Sequence, residues 1–211
     1  MKAIQNINRP EYQIDFSRID NPVEAVLLPL PALDAGLLAA RPEGFIEAGG
    51  DRVEFQSRGG IFRKTEKVFT RGGEESRVEL KKSGPGRRAK AVQGSFGESE
   101  IDLKINNLQG NLKYGSYEVE GKIGEVEVRE TVSVDFSNRL TSQPVMTKKG
   151  IVGGLDYEEN YYITPMSKCV VSSGHLGDMP ISRRIFRSSN QSQKGDGRIG
   201  EIEFDEFLRA R

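Results

Sequence analysis

The feature that most limits how this chain can fold is an alternation running from Phe96 to Phe136. Apolar side chains stand at Ile101, Leu103 and Ile105, then at Tyr117, Val119 and Ile123, then at Val126, Val128, Val132, Val134 and Phe136, with polar or charged residues between them. A period of two over such a length means half-buried β-strands. The interruptions (Asn106-Asn107, Gln109-Gly110-Asn111, Gly121, Gly124) are residues that tolerate turns, bulges and positive φ. The stretch therefore predicts an antiparallel meander with one face in a core and the other in water. Val126, Val128, Val132 and Val134 are expected inside, and Glu125, Glu127, Arg129, Ser133 and Asp135 outside. Strict alternation would bury Glu130 with the valines, so a bulge or turn is expected near it.

A chain of 211 residues suits one large domain. Only 36% is apolar, Gly is abundant at 24 residues and Trp is absent, as in a β-protein whose strands wet one face. The fold class expected is mainly β, an antiparallel barrel or sandwich with a proline-rich N-terminal arm and a short C-terminal helix. The expected division is residues 1–48 as N-terminal strand, arm and short helix, 49–187 as the β-domain, and 188–211 as linker and closing helix. Tyr12, Ile14 and Phe16 alternate as a first strand. Val26 to Leu30 is an apolar run that Pro29 confines to an edge or extended arm. Pro31 opens a helix carrying Leu33, Leu37 and Leu38 that ends before Pro42. Short strands are expected at 52–55, 60–69 and 77–80, then a loop at 81–90. Later strands are expected at 161–164, 169–171 and 184–186, then a Gly/Ser/Gln-rich linker over 188–197. Ile202, Phe204, Phe207 and Leu208 suggest the final helix. No repeat of fixed period stands out.

Formal net charge is zero, which disfavours both a strongly cationic nucleic-acid binder and an acidic solvating protein. The N-terminus shows no apolar core of signal-peptide length. The most apolar stretch, Val23 to Ala40, carries Glu24 and Asp34 and is broken by Pro29 and Pro31, so it is not expected to span a membrane. The expected location is cytoplasmic. Charge is uneven by segment, however. Residues 52–92 hold twelve Lys/Arg against five Asp/Glu, and residues 96–136 hold four against nine. The plainer expectation is that basic strand faces pair with acidic ones across the ladder. The functional alternative rests on Lys81, Lys82, Arg87, Arg88 and Lys90, a basic loop around Gly84-Pro85-Gly86 that could hold an anion or nucleic-acid phosphates. A second acid-free stretch, 179–195, holds Arg183, Arg184, Arg187 and Lys194.

Four patterns carry letters of known chemistry. Gly124-Glu125-Val126-Glu127-Val128-Arg129-Glu130 resembles the catalytic strand of the jelly-roll β-glucanases. The resemblance implies Glu125 as nucleophile and Glu130 as acid/base, the two carboxyls lying about 5–5.5 Å apart on one strand face as retention requires. The middle aspartate of that pattern is here Glu127. Asp196-Gly197-Arg198-Ile199 with Glu203 resembles the second half of an EF-hand loop, but Ser192 and Lys194 fall where the first ligands belong, and a lysine cannot ligate calcium. No metal and no cofactor is therefore expected. Cys169 and His175 are alone of their types, and six residues of extended chain would hold them about 20 Å apart. Cys169, within Cys169-Val170-Val171, reads as a small buried apolar residue. Ile151-Val152-Gly153-Gly154 is similar to the new N-terminus of trypsin-like proteases, Gly84 to Ala89 to a dinucleotide turn, and Arg183 to Gly195 to the PilZ signature. None has its family's context here.

The chain is thus expected to be a non-enzymatic structural or protein-binding β-module, a subunit of a larger assembly. Val26, Leu27, Leu28, Leu30 and Leu33 are its candidate partner-binding residues, toward another protein or a second copy. Anion or nucleic-acid binding through residues 81–90 is the alternative. A glycan-acting hydrolase using Glu125 and Glu130 stands third.

Overall fold

The computed structural model describes residues 14–28, 42–58, 65–83, 88–111, 114–135, 143–164, 169–187 and 192–210. They form one short helix, α1 (Pro22–Leu27), and fourteen strands. In chain order these are β1 (Pro42–Ala48), β2 (Asp51–Arg58), β3 (Thr65–Arg71), β4 (Glu74–Ser83), β5 (Arg88–Phe96), β6 (Ser99–Asn111) and β7 (Tyr114–Ile123). The second half comprises β8 (Val126–Asp135), β9 (Met146–Val152), β10 (Leu155–Thr164), β11 (Cys169–Leu176), β12 (Met179–Arg187), β13 (Ser192–Ile199) and β14 (Ile202–Ala210). Each strand pairs antiparallel with its sequence neighbours, and β1 pairs with β14, so the sheet closes as an up-and-down barrel. Closure leaves no strand edge unpaired.

The alternation that announced β6 to β8 holds over residues 99–105, 117–123 and 126–135, and β6 shifts register between Asn106 and Gln109. Along β8 buried and exposed residues alternate without a break, so Val126, Val128, Val132 and Val134 point in while Glu127, Arg129, Ser133 and Asp135 point out. The bulge expected near Glu130 is not there. Glu130 keeps the register, faces the interior and is 4% exposed. The outer wall carries charged residues such as Glu127 and Arg129 where a lipid-facing barrel would carry an apolar band. No described helix is long and apolar enough to cross a membrane.

An eight-stranded barrel is just filled by its own side chains, and rings of sixteen or more leave a water channel. Fourteen strands around a core of buried side chains need something more, and two devices supply it. The first is a set of inward glycines on alternate strands, Gly94, Gly121, Gly150 and Gly174. A Cβ at these positions would come within 2.0 Å of the preceding strand's carbonyl oxygen at Arg77, Asp102 and Arg129, and 1.8 Å at Glu158. The wall can fold inward there only because the side chain is missing. Each is followed three residues later by a turn glycine, as in Gly121-Lys122-Ile123-Gly124 and Gly174-His175-Leu176-Gly177, and Gly197 to Gly200 repeats the spacing. The barrel is therefore a hairpin repeat. Its period escapes a fixed-spacing search because the glycine pairs begin unevenly, at 94, 121, 150, 174 and 197.

The second device is the N-terminal segment, which straps the turn end of the barrel. Ile14 lies against Gly49, the Arg71 guanidinium bridges Asp15 and Asp51, the Glu98 N–H donates to Ser17 O (2.9 Å), and the Glu125 N–H donates to Ile19 O (3.3 Å). Pro22 then rests on Gly153. The strap thus visits four successive hairpin turns in order, and Pro22, the first residue of α1, meets the fifth. The expected first strand is not formed. Its Tyr12 lies outside the described residues, and the Phe16 N–H goes to Asp51 Oδ2 (2.7 Å) and the Ser17 N–H to Asp15 Oδ1 (2.8 Å), rather than to a neighbouring strand. The Val26 to Leu30 arm is corrected as well where it is described, at Val26 to Leu28. Asn21 caps α1 by accepting from the Val23 and Glu24 N–H groups, and Pro22 begins it, which are ordinary helix-start chemistry. Glu24 folds back to accept from Asp15 and Asp20 N–H, both at 3.2 Å. Val23, Leu27 and Leu28 are buried in the core. The helix expected from Pro31 lies outside the described residues.

The closing helix and the 188–197 linker are also overturned where described. Residues 192–199 are β13 and residues 202–210 are β14, with Ile202, Phe204 and Glu206 turned inward at a period of two. β1, from the N-terminal segment, and β13 and β14, from the C-terminal one, are staves of the same ring as the rest.

Candidate functional site

The interior is not uniform around the ring. From β4 to β8 the described inward residues are mostly Val, Ile, Leu, Phe and Tyr, interrupted by Ser76, Ser99, two glycines and Glu130. From β9 to β14 the inward row mixes apolar residues such as Val152, Leu176, Ile181 and Ile199 with Lys148, Tyr157, Glu159, Ser172, Arg183 and Glu206, and Gly150, Gly174, Gly195 and Gly197 lie between. Register explains the meeting: Lys148 pairs across to Glu159, Glu159 to Gly174, Arg183 to Gly197, and Gly195 to Glu206. The glycines leave room for the long charged side chains beside them.

Glu159 is the centre of this polar arc and is 0% exposed. Ser172 Oγ donates to its Oε1 (2.5 Å) and Tyr157 OH to its Oε2 (2.9 Å), while Arg183 Nε lies 3.7 Å from Oε1. Arg183 also reaches Glu206 at 3.7 Å and lies over the Phe204 ring, 5.2 Å from its centre. Lys148 sits 5.7 Å over Tyr161. Burial by itself would raise the Glu159 carboxyl, but Arg183, Lys148 and the Ser172 and Tyr157 hydrogen bonds outweigh it and hold the group below the ordinary carboxylate range. Burial, and then the Glu159 charge beside it, push Tyr157 well above an ordinary phenol. The cluster is therefore an ionised acid fixed by two neutral donors and two cations, in a space closed to water. That arrangement holds charge in place. The signal that could have revealed it was charged letters at inward positions of predictable strands, above all Glu130 within the valine row.

The sequence-derived candidates are placed as follows. Glu125 is exposed in the β7–β8 turn, and Glu130 is buried inside, so the two carboxyls do not share a strand face. Cys169 is buried and His175 exposed, at opposite ends of β11. Asp196 lies on β13, where it accepts from Arg184 (2.6 Å), and Glu203 follows on β14, so the EF-hand-like letters span a β-hairpin with no helix after it. The segment 81–90 is no single loop: Lys81 and Lys82 end β4, across a register shift, and Arg88 and Lys90 begin β5. Arg87 lies outside the described residues, as do Leu30 and Leu33. Val26, Leu27 and Leu28 pack on this chain's own core. The expected pairing of basic with acidic strands is not realised between β5 and β6. There Ala91, Gln93 and Ser95 face Lys104, Asp102 and Glu100. Charge is balanced within the acidic meander instead, as in the row Lys104, Glu120, Arg129.

On the outer wall one row is aromatic. Phe186, Lys194, Phe207 and Phe45 are successive cross-strand neighbours on β12, β13, β14 and β1. Phe186 is 40% exposed, Phe45 and Phe207 stack with centres 5.8 Å apart, and Arg52 lies 3.8 Å over Phe45. No family model, curated protein or solved structure matches the chain.

Proposed function

We propose that this protein is a non-enzymatic structural or protein-binding module, a subunit whose contacts are made by the outer wall of β12, β13, β14 and β1. The observation that carries this reading is the row Phe186, Lys194, Phe207, Phe45, where aromatic faces stand on a rigid sheet among charged neighbours. Aromatic anchors with a polar rim are the usual chemistry of a protein contact. The interior supports the same reading: the best-placed acid, Glu159, has both oxygens engaged by Ser172, Tyr157 and Arg183. The test is native mass measurement of the purified protein, alone and from cell extract, beside the Phe186→Asp and Phe207→Asp variants. A defined assembly, lost in both variants while the thermal midpoint stays put, is the expected result. A monomer under all conditions, or an assembly indifferent to both changes, would sink the idea.

A further inference from the structure

We propose that the polar arc, β9 to β14, is an acid-sensitive gate in the barrel: protonation of its inward carboxylates opens that arc while β4 to β8 stays closed. The groups facing the arc come from nearly every element around it. Glu130 stands on β8, Lys148 on β9, Tyr157, Glu159 and Tyr161 on β10, Ser172 on β11, Arg183 on β12 and Glu206 on β14, while β13 presents Gly195 and Gly197. α1 packs on β9, but its Glu24 is turned onto the strap's own N–H groups. Lys67, on β3, is a further buried cation and lies 4.8 Å over Phe55. Three inward carboxylates (Glu130, Glu159, Glu206) and three inward cations (Lys67, Lys148, Arg183) thus share the interior, with Arg183 within 3.7 Å of both Glu159 and Glu206. Neutralising the acids leaves buried cations, the costly half of a broken buried pair.

The arc is the part that yields because charge interrupts its core. Its inward row sets Lys148, Glu159, Arg183, Glu206 and four glycines among apolar residues such as Leu176, Ile181 and Ile199, whereas β4 to β8 bury an apolar face interrupted by Glu130, and apolar attraction does not depend on pH. The sign follows from Glu159. Its carboxyl lies below the ordinary value, so the stability it contributes is present above the unfolded-chain value and is lost as pH falls through the lower, folded one. Opening therefore belongs below about pH 4, under the usual glutamate range.

Hydrogen exchange read by mass spectrometry on the full chain tests this, comparing protection factors corrected for intrinsic rate at neutral pH and near pH 3.5. Peptides from β9 to β13 should lose at least roughly tenfold more protection than those from β4 to β8. Equal loss in both arcs would mean one cooperative unit and overturn the proposal. Two variants identify the trigger. Glu159→Gln removes the charge but not the volume, and should loosen β10 to β12 already at neutral pH. The double change Glu159→Leu with Arg183→Met removes both charges and should blunt the acid response. If the double variant opens in acid as the parent does, the pair is not the trigger and the gate reading fails. The unmutated protein decides the regional claim even where a variant does not fold.

Discussion

The two arcs of this barrel use the same backbone, the same pairing rule and one shared apolar core, yet they differ in how much buried charge that core must accommodate. Between β4 and β8, Leu103, Val119 and Val132 are wholly buried, and their contribution is the transfer of apolar area from water, roughly 25 cal/mol per Å². Between β9 and β14 the interior centres on Glu159, Arg183 and Glu206, whose attraction must first offset the cost of taking charge out of water. The apolar arc is non-directional and tolerates small shifts. The polar arc depends on fixed geometry, with Tyr157, Ser172 and Arg183 all converging on one carboxylate. A closed ring lets the first arc hold the second in register.

The comparison is broken most violently from the apolar side. Val128→Asp would place an unpaired carboxylate among Val126, Val132 and Val152, at a cost of about 3–5 kcal/mol or its own neutralisation. Denaturant unfolding should show a collapse of stability, or no folded protein. In the polar arc the comparable change is Arg183→Ala, expected to cost about 3 kcal/mol by removing the guanidinium that lies between Glu159 and Glu206. It should also move acid unfolding to higher pH, because Arg183 is the first of the groups that pull the Glu159 carboxyl down. A variant that loses stability but keeps the parent's acid midpoint would show that Arg183 matters for packing on Phe204 alone.

The glycines sharpen the comparison at the backbone level. Gly121 has φ +147 and its missing Cβ would sit 2.0 Å from Asp102 O, so Gly121→Ala must push two strands apart. Gly73 has φ +91 with nothing within 4 Å, so Gly73→Ala meets only conformational strain. Thermal melts should show Gly121→Ala costing more than about 2 kcal/mol and Gly73→Ala about 1 kcal/mol. Equal losses would mean the inward glycines serve the turns and not the folding of the wall.

The same contrast explains what could be read in advance. The apolar arc was legible because its inward letters are Val, Ile and Leu, so register followed directly from β6 to β8. Bulge and turn chemistry hid little there except Glu130, which keeps the register and faces the interior with the valines. The polar arc was opaque for the matching reason. At Gly195, Gly197 and Glu206 the inward letters look like a linker and one face of a helix, so β13 and β14 were misassigned. α1 was legible in principle, since Asn21-Pro22 is a helix-start signal, but the apolar letters after it read as an arm. That this arm belongs to the core could not be seen without knowing that a fourteen-strand ring must be filled. The uneven hairpin repeat was present in the glycine pairs and missed because loop length varies.

The smallest expected effect concerns the outside of the same strand as Val128, and it isolates position from composition. Glu127 precedes Val128, carries a full charge and pairs with Lys122 at 3.7 Å, with side chains 78% and 61% exposed. Such a pair lies in water, is screened by salt, and spends side-chain entropy to hold its geometry. Glu127→Ala should therefore change stability by no more than about 0.5 kcal/mol, with the same denaturant slope as the parent. Glu130→Ala, three residues along and inward, should cost several times more, because Glu130 is 4% exposed and belongs to the interior charge set. If the two alanine variants lost equal stability, the interior charges would be contributing no more than surface ones. The division of the barrel into an apolar and a polar arc would then describe its composition and not what holds it together.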